Sequence, residues 1–202
     1  MSERQAALAR LDSERLSNDP RLSQSRQARA RELPARVLQF GEGNFLRGFF
    51  DWMLEHMNRQ GLFNGRAVLL QPIAQGQAER INRQDGLYTV LLRGAVAGSV
   101  VESRELITSV SRCIDPHRDF DQALSVARQP ELRFVVSNTT EAGIRLDPED
   151  RLDARPARSF PAKLTQLLYT RFQHFAGDPA KGLVMLPCEL IERNGDALRA
   201  LV

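Results

Sequence analysis

Arg36-Val37-Leu38-Gln39-Phe40-Gly41-Glu42-Gly43-Asn44-Phe45-Leu46-Arg47 is the stretch on which the fold turns. Residues 36–40 form a short strand pattern that runs straight into two closely spaced glycines. From Phe45 the apolar residues fall at 45, 46, 49, 50, 53, 54 and 57, the i, i+3, i+4 stripe of an amphipathic helix ending near Gly61. Ala67-Val68-Leu69-Leu70 follows, a continuous apolar run suited to a strand buried on both faces of a parallel sheet. Strand, glycine turn, helix and strand make a βαβ unit. In such a unit Gly41 permits the tight turn and Gly43 lets the backbone approach a pyrophosphate. The amides of Asn44 and Phe45 stand where the helix dipole favours anions. Leu46 holds the place of the usual third glycine, with Gly48 two places later, so the alternative of a plain strand-to-helix turn stays open. Arg47 is placed to pair with a phosphate, or with Asp51 at i+4.

Folds of this kind often carry Asp or Glu at the end of the second strand to hold a ribose. Here that strand ends Leu69-Leu70-Gln71-Pro72, with neither a carboxylate nor an arginine. These residues therefore do not choose between NAD and NADP. Gln71 is a candidate for bonding the ribose; a solvent-facing strand end is the bland alternative.

Further along, 86–93 reads as a strand, 94–99 as a turn, and 100–110 as continuing strand, a hairpin-like element inserted in or edging the sheet. A helix opens at Asp115-Pro116 and stops before Pro130. Residues 132–136 form another strand, which delivers the polar loop Ser137-Asn138-Thr139-Thr140-Glu141-Ala142-Gly143 at its C-terminal end, where open α/β sheets bind ligands. After a charged loop over 145–158 come a helix from about Pro161 to Phe175, a strand over 182–186 and a helix after Asn194-Gly195. The fold class expected is an α/β, Rossmann-like, doubly wound and mostly parallel sheet with an inserted antiparallel hairpin. Residues 34–202 form that domain, and residues 1–33, which lack aromatic side chains, form a mobile arm.

The 202 residues are 42% hydrophobic and 26% charged, which suits one globular domain and excludes a disordered or fibrous chain. The net charge of +3 resides in the arm: residues 1–36 hold eight arginines and five acids, leaving twenty of each sign beyond. A neutral body gives no general pull on phosphate backbones, which argues against nucleic acid as a partner. There is no apolar run of membrane-spanning length and no secretory core at the N-terminus, so a cytoplasmic protein without a membrane partner is expected. Cys113 and Cys188 read as reduced, buried thiols, and without Cys or His clusters no metal site is expected.

His56, His117 and His174 each sit on a helix without a nucleophile and acid in a recognisable arrangement, and read as surface or helix-end residues. Lys163 and Lys181 are the only lysines. A lysine base needs burial to approach neutrality, which neither position suggests.

Five blocks carry a more specific signal: Phe40 to Arg47, Gln84-Asp85-Gly86-Leu87-Tyr88-Thr89, Ser137 to Ile144, Pro161-Ala162-Lys163-Leu164-Thr165, and Pro187-Cys188-Glu189-Leu190-Ile191 through Asn194-Gly195-Asp196. In this order they resemble the N-terminal half of the mannitol dehydrogenase family of zinc-independent, long-chain polyol dehydrogenases, from about residue 34 onward. The resemblance implies a Rossmann-like domain that binds NAD, followed by a mostly helical domain of the same polypeptide that lies beyond this chain. In the family a lysine of that second domain, assisted by Asn and His, is the general acid/base, and hydride passes between nicotinamide and the substrate carbonyl carbon. Carried over, Gly41, Gly43, Asn44 and Phe45 cradle the pyrophosphate, Thr139, Thr140 and Glu141 border the nicotinamide, and Asn194 reaches the reaction centre. The family's polyol members have an Asp-Asn pair where this chain has Glu189-Leu190.

The implied reaction interconverts the uronates tagaturonate and altronate, this chain supplying the cofactor half. Fructuronate reduction, mannitol oxidation, a non-catalytic dinucleotide-binding module and an S-adenosylmethionine fold are the alternatives. Separated from a second domain, the apolar residues Ala197, Leu198, Leu201 and Val202 are expected to lack a partner.

Overall fold

The centre of the sheet is β1 (Ala35–Phe40), whose last four residues are fully buried. The computed structural model describes residues 32–140 and 143–202, so the arm expected over 1–33 lies almost wholly outside the described residues. After β1 come α1 (Asn44–Gly48), α2 (Phe50–Arg59), β2 (Arg66–Leu70) and α3 (Ala78–Asn82). Next are β3 (Tyr88–Val96), β4 (Ser99–Ile107), β5 (Val110–Ile114), α4 (Phe120–Ala127) and β6 (Phe134–Ser137). The described chain closes with α5 (Phe160–His174), a short 3₁₀ turn, β7 (Val184–Pro187) and α6 (Asn194–Arg199).

Five strands form one parallel sheet in the order β5-β2-β1-β6-β7. The order in which successive strands are laid down reverses between β1 and β6, and there the carboxyl ends of two neighbouring parallel strands open a crevice. Alternate side chains of each strand serve opposite faces. Leu38, Phe40, Val68, Leu70 and Ile114 pack with α4, α5 and Leu198 of α6. Val37, Ala67, Leu69, Val110 and Cys113 pack with Leu46, Leu54 and Ile81 from α1, α2 and α3. This is the doubly wound α/β architecture expected.

β3 and β4 make a separate antiparallel hairpin paired from Tyr88↔Ile107 to Val96↔Ser99. Its turn is only Ala97-Gly98, both with positive φ (49° and 81°), as a two-residue hairpin loop requires. Two elements depart from the expected plan. The strand expected over 100–110 breaks at Thr108-Ser109, because both residues are captured by α2: the Thr108 amide and hydroxyl donate to the Glu55 carboxylate at 2.8 and 2.9 Å, and the Ser109 hydroxyl donates to the Asp51 carbonyl at 2.8 Å. The chain then changes sheets and β5 joins the parallel ladder. The helix expected from 45 to 61 is divided at Phe49 (φ −118°, ψ −68°). The Tyr88 hydroxyl lies 2.9 Å from the Arg47 carbonyl, the acceptor that an unbroken helix would offer to the amide of Asp51.

Helix ends follow local chemistry. Asp115 turns its carboxylate onto the His117 amide (3.0 Å), so α4 begins only after Asp119, whose side chain caps Gln122. Ser159 caps α5, with Pro161 in the first turn. The apolar face of the last segment does find a partner: Leu198 is buried and Ala197 and Leu201 pack against the core of the sheet, contrary to expectation. No helix among the described residues is long and apolar enough to cross a membrane.

Candidate functional site

The glycine turn sits at the carboxyl end of β1, and its two glycines differ in what they need. Gly41 has φ +113°, and a Cβ there would lie 2.8 Å from the Asn138 carbonyl oxygen of the neighbouring loop. Only glycine fits. Its amide donates to the Leu70 carbonyl at 3.1 Å, carrying the β1–β2 ladder one step past the strand. Gly43 has ordinary extended backbone, and a Cβ on it would meet nothing within 4 Å. No side chain caps α1 at Gly43, so the amides opening that helix have no side-chain acceptor there. Leu46, where a third glycine is usual, is buried against the sheet. Phe45 and Phe49 are each half exposed and stack at 5.4 Å on the rim.

Arg47 does not make the ion pair with Asp51, one of its two expected partners: its guanidinium donates to Asn44 Oδ1 at 2.7 Å and lies 5.5 Å from the Tyr88 ring centre. Asp51 instead lies sealed beneath the turn, its Oδ2 3.1 Å from the Tyr88 hydroxyl and 3.4 Å from Gln39 Nε2. Gln39 Nε2 also donates to the Gly41 carbonyl at 3.0 Å. Burial pushes the Asp51 carboxyl up to about 7, against the hydrogen bonds of Tyr88 and Gln39 and the charge of Arg47. The same burial, with Asp51 beside it, drives the Tyr88 hydroxyl far above its usual value.

On one side of the turn a cleft of about 990 Å³ crosses the carboxyl ends of β1, β2 and β5. Glu42, Gln71, Asn82, Cys113 and Asp115 are among its walls. Gln71 is buried and braces the loop that follows β2: its Nε2 donates to the Ile73 and Ala74 carbonyls, and its Oε1 accepts from the Ala78 amide at 3.1 Å. The cleft's two arginines each pair with an acid, Arg83 with Glu79 at 2.7 Å and Arg118 with Asp115 at 3.6 Å. Burial pushes the Cys113 thiol far up, which leaves it inert at neutral pH.

On the other side, the end of β6 meets the end of β7. Glu189 is buried and one carboxylate serves three donors: the Ser137 hydroxyl (3.0 Å), the Thr139 amide (2.9 Å) and the Thr139 hydroxyl (3.0 Å). Asn138 Nδ2 donates to the Cys188 carbonyl at 2.8 Å. Asn194 Nδ2 donates to the carbonyls of Pro187 (2.8 Å) and Glu189 (3.1 Å), fastening the turn that carries Glu189. Thr140 has a positive φ of 73°, a conformation unusual for a β-branched residue. Glu141 lies outside the described residues.

Thus Gly41, Gly43, Asn44, Phe45 and Arg47 gather at the turn, Gln71 lines the cleft, and Thr139, Thr140 and Asn194 gather across the crevice. Gln39, Asp51, Tyr88 and Glu189 are the site's supports, a role that sequence reading gave to none of them. Gln39 left a trace, a carboxamide inside an apolar strand. Glu189 and Tyr88 lay within quoted motifs but without a partner to interpret them. Lys163 proves buried after all, Nζ donating to the Arg158 carbonyl at 2.5 Å, and desolvation lowers its proton affinity against the pull of Asp150. His56 meets Glu105 of the hairpin at 2.7 Å, a contact no sequence spacing indicates.

Residues 35–202 match the mannitol dehydrogenase Rossmann domain. The chain is 49% identical over 171 residues to altronate oxidoreductase of Bacillus subtilis, which covers 85% of this chain and 36% of that protein. It is 51% identical over 172 residues to altronate oxidoreductase of Klebsiella pneumoniae subsp. pneumoniae, with 85% and 36% covered. The chain therefore spans about a third of the length of these curated relatives. Among solved structures, mannitol 2-dehydrogenase of Pseudomonas fluorescens, in ternary complex with NAD and D-mannitol, superimposes with a TM-score of 0.74 at 15% identity, covering 95% of this chain and 41% of that one. A substrate-free D-sorbitol dehydrogenase gives a TM-score of 0.70 at 18% identity, with 84% and 37% covered. A parallel sheet with an open glycine turn at its crevice and a profile match across nearly all described residues have one meaning: the chain belongs to the mannitol dehydrogenase family and carries its Rossmann domain.

Proposed function

We propose that this chain is the NAD-binding half of a cytoplasmic oxidoreductase that interconverts altronate and tagaturonate. The observation that carries the reading is the vacant space over Gly43, beside uncapped helix amides, in a chain about half identical to altronate oxidoreductases. A dinucleotide fits the turn because a methyl group at Gly43 would stand where the phosphates need to approach. Gly41, Gly43, Asn44 and Phe45 offer the pyrophosphate their backbone, and Arg47 lies within the same helical turn. The 990 Å³ cleft takes the adenosine end. Its arginines are already paired with acids, and Glu42 adds a further carboxylate. This favours a ribose with free hydroxyls over one bearing a 2′-phosphate.

The nicotinamide end then faces the loop of Thr139 and Thr140, with Glu141 next in sequence. Bound NAD supplies the hydride acceptor for a secondary alcohol. The chain's own part is orientation: Glu189 fixes Thr139 through its amide and hydroxyl, and Asn194 holds the turn that bears Glu189. In this reading Asn194 also borders the corner that a uronate enters. Proton transfer requires a base within about 3 Å of the substrate hydroxyl. We assign it to a lysine of the helical domain that completes such proteins.

Calorimetric titration tests the reading. NADH should bind the chain more tightly than NADPH, and S-adenosylmethionine should give no heat. With the helical domain joined to it, altronate should reduce NAD faster than mannitol or fructuronate's alcohol does. Failure of NADH to bind would overturn the proposal.

A further inference from the structure

We propose that Asp51 is a positioning residue for the dinucleotide, its protonated carboxyl holding the glycine turn in the shape that receives the twin phosphates. The inference rests on reading that turn as the dinucleotide seat, and it follows from counting protons. The Tyr88 hydroxyl lies 2.9 Å from the Arg47 carbonyl oxygen and 3.1 Å from Asp51 Oδ2. It has one proton to give. If Asp51 is ionised, one of these two contacts sets lone pair against lone pair inside a dry site. If Asp51 is protonated, its O–H donates to Tyr88 and Tyr88 donates to Arg47, and both contacts are satisfied.

Gln39 completes the device. Its Nε2 spends one proton on the Gly41 carbonyl at 3.0 Å and directs the other toward Asp51 Oδ2 at 3.4 Å. Around the carboxyl, Asp51 Oδ1 and Gln39 Oε1 are buried acceptors without a hydrogen-bond donor and Arg47 Nε is a buried donor without an acceptor, so acceptors outnumber free donors there and an ionised Asp51 adds to the excess. Through Tyr88 and Gln39 the carboxyl reaches the carbonyls of Arg47 and Gly41, on either side of the first-turn amides. Asp51 touches no cofactor itself.

The groups facing Asp51 are Tyr88 from β3, Gln39 from β1, Arg47 from α1 and Glu55 one turn along α2, while Ser109 donates to its backbone carbonyl. Of these only Arg47 favours the ionised form by charge. Burial lifts the carboxyl to about 7. A bound pyrophosphate adds negative charge nearby and raises it further, so dinucleotide binding and protonation of Asp51 help each other. Affinity is then full below the free protein's value and falls as pH rises through it, by up to about tenfold per pH unit.

The test is calorimetric titration of the chain with NADH between about pH 6 and about pH 8.5, in two buffers of different ionisation enthalpy. The wild-type chain should lose affinity several-fold across this range and take up a fraction of a proton on binding near pH 7. Asp51→Asn, which can donate to Tyr88 as the protonated acid does, should bind with affinity independent of pH. Tyr88→Phe removes the link between the carboxyl and the Arg47 carbonyl, and should flatten the fall in affinity with pH. Should Asp51→Asn fail to fold, the flattened profile of Tyr88→Phe and the wild-type proton uptake decide the matter. Tight binding with neither pH dependence nor proton uptake overturns this inference and leaves the dinucleotide seat standing; an equal slope in Asp51→Asn does the same. No binding of NADH at any pH overturns both.

Discussion

Gly41 and Gly43 look alike in the sequence and are held by different forces. At Gly41 the constraint is the protein's own: φ is +113° and the Asn138 carbonyl leaves no room for a Cβ. Gly41→Ala should therefore destabilise the fold by roughly 2 kcal/mol or more, read by chemical denaturation. At Gly43 the protein imposes nothing, so Gly43→Ala should cost under about 1 kcal/mol of stability while weakening NADH binding at least about tenfold, because the constraint there belongs to the ligand. Asp51 adds a stability effect of its own. Its carboxyl is raised from 3.8 to about 7 in the fold, so its neutral form favours folding at low pH, and that contribution is lost as pH rises from about 4 through about 7. The stability of Asp51→Asn relative to wild type should accordingly climb by a few kcal/mol across that window, measured by denaturant titration at several pH values.

Among the elements, the two halves of the first helix show how a distant segment edits a local one. The apolar stripe from 45 to 57 is continuous, and the one local hint of a break at Phe49 is Gly48, a poor helix former just before it. The break comes from Tyr88, 41 residues downstream, which takes the Arg47 carbonyl. The same hairpin keeps its own internal register through Ala97-Gly98 but is moored to α2 at its base, where Arg59 bonds Glu105 at 3.0 Å and the Leu106 carbonyl at 2.9 Å. Across the crevice the joint between β6 and β7 depends on one side chain. Glu189→Ala strands the Ser137 hydroxyl and the Thr139 amide and hydroxyl together, and should destabilise the domain by about 3 kcal/mol in thermal or chemical unfolding. Glu189→Gln, which keeps two acceptor lone pairs on one atom, should recover part of that loss.

At the scale of the whole molecule the sheet has two edges, and they differ. Around β7 the side chains of Val184 (52% exposed) and Leu190 (86% exposed) stand open to solvent. Light scattering should show concentration-dependent association of this chain, reduced by Leu190→Lys together with Val184→Lys. The sequence by itself determined the parallel sheet, the glycine turn at its crevice and the bounds of α5, because apolar period, glycine spacing and capping residues are local signals that packing only reinforces. The family was legible for the same reason, since its motifs are short runs of neighbouring residues. What only the tertiary structure decided was the company those residues keep: that β5 leaves the hairpin for the main sheet, that Gln71 braces a loop, that Lys163 is buried, and that Gln39, Asp51 and Tyr88 share one dry nest beneath the turn. Burial and a shared proton are properties of several segments brought together, and no spacing along one chain encodes the distance between them.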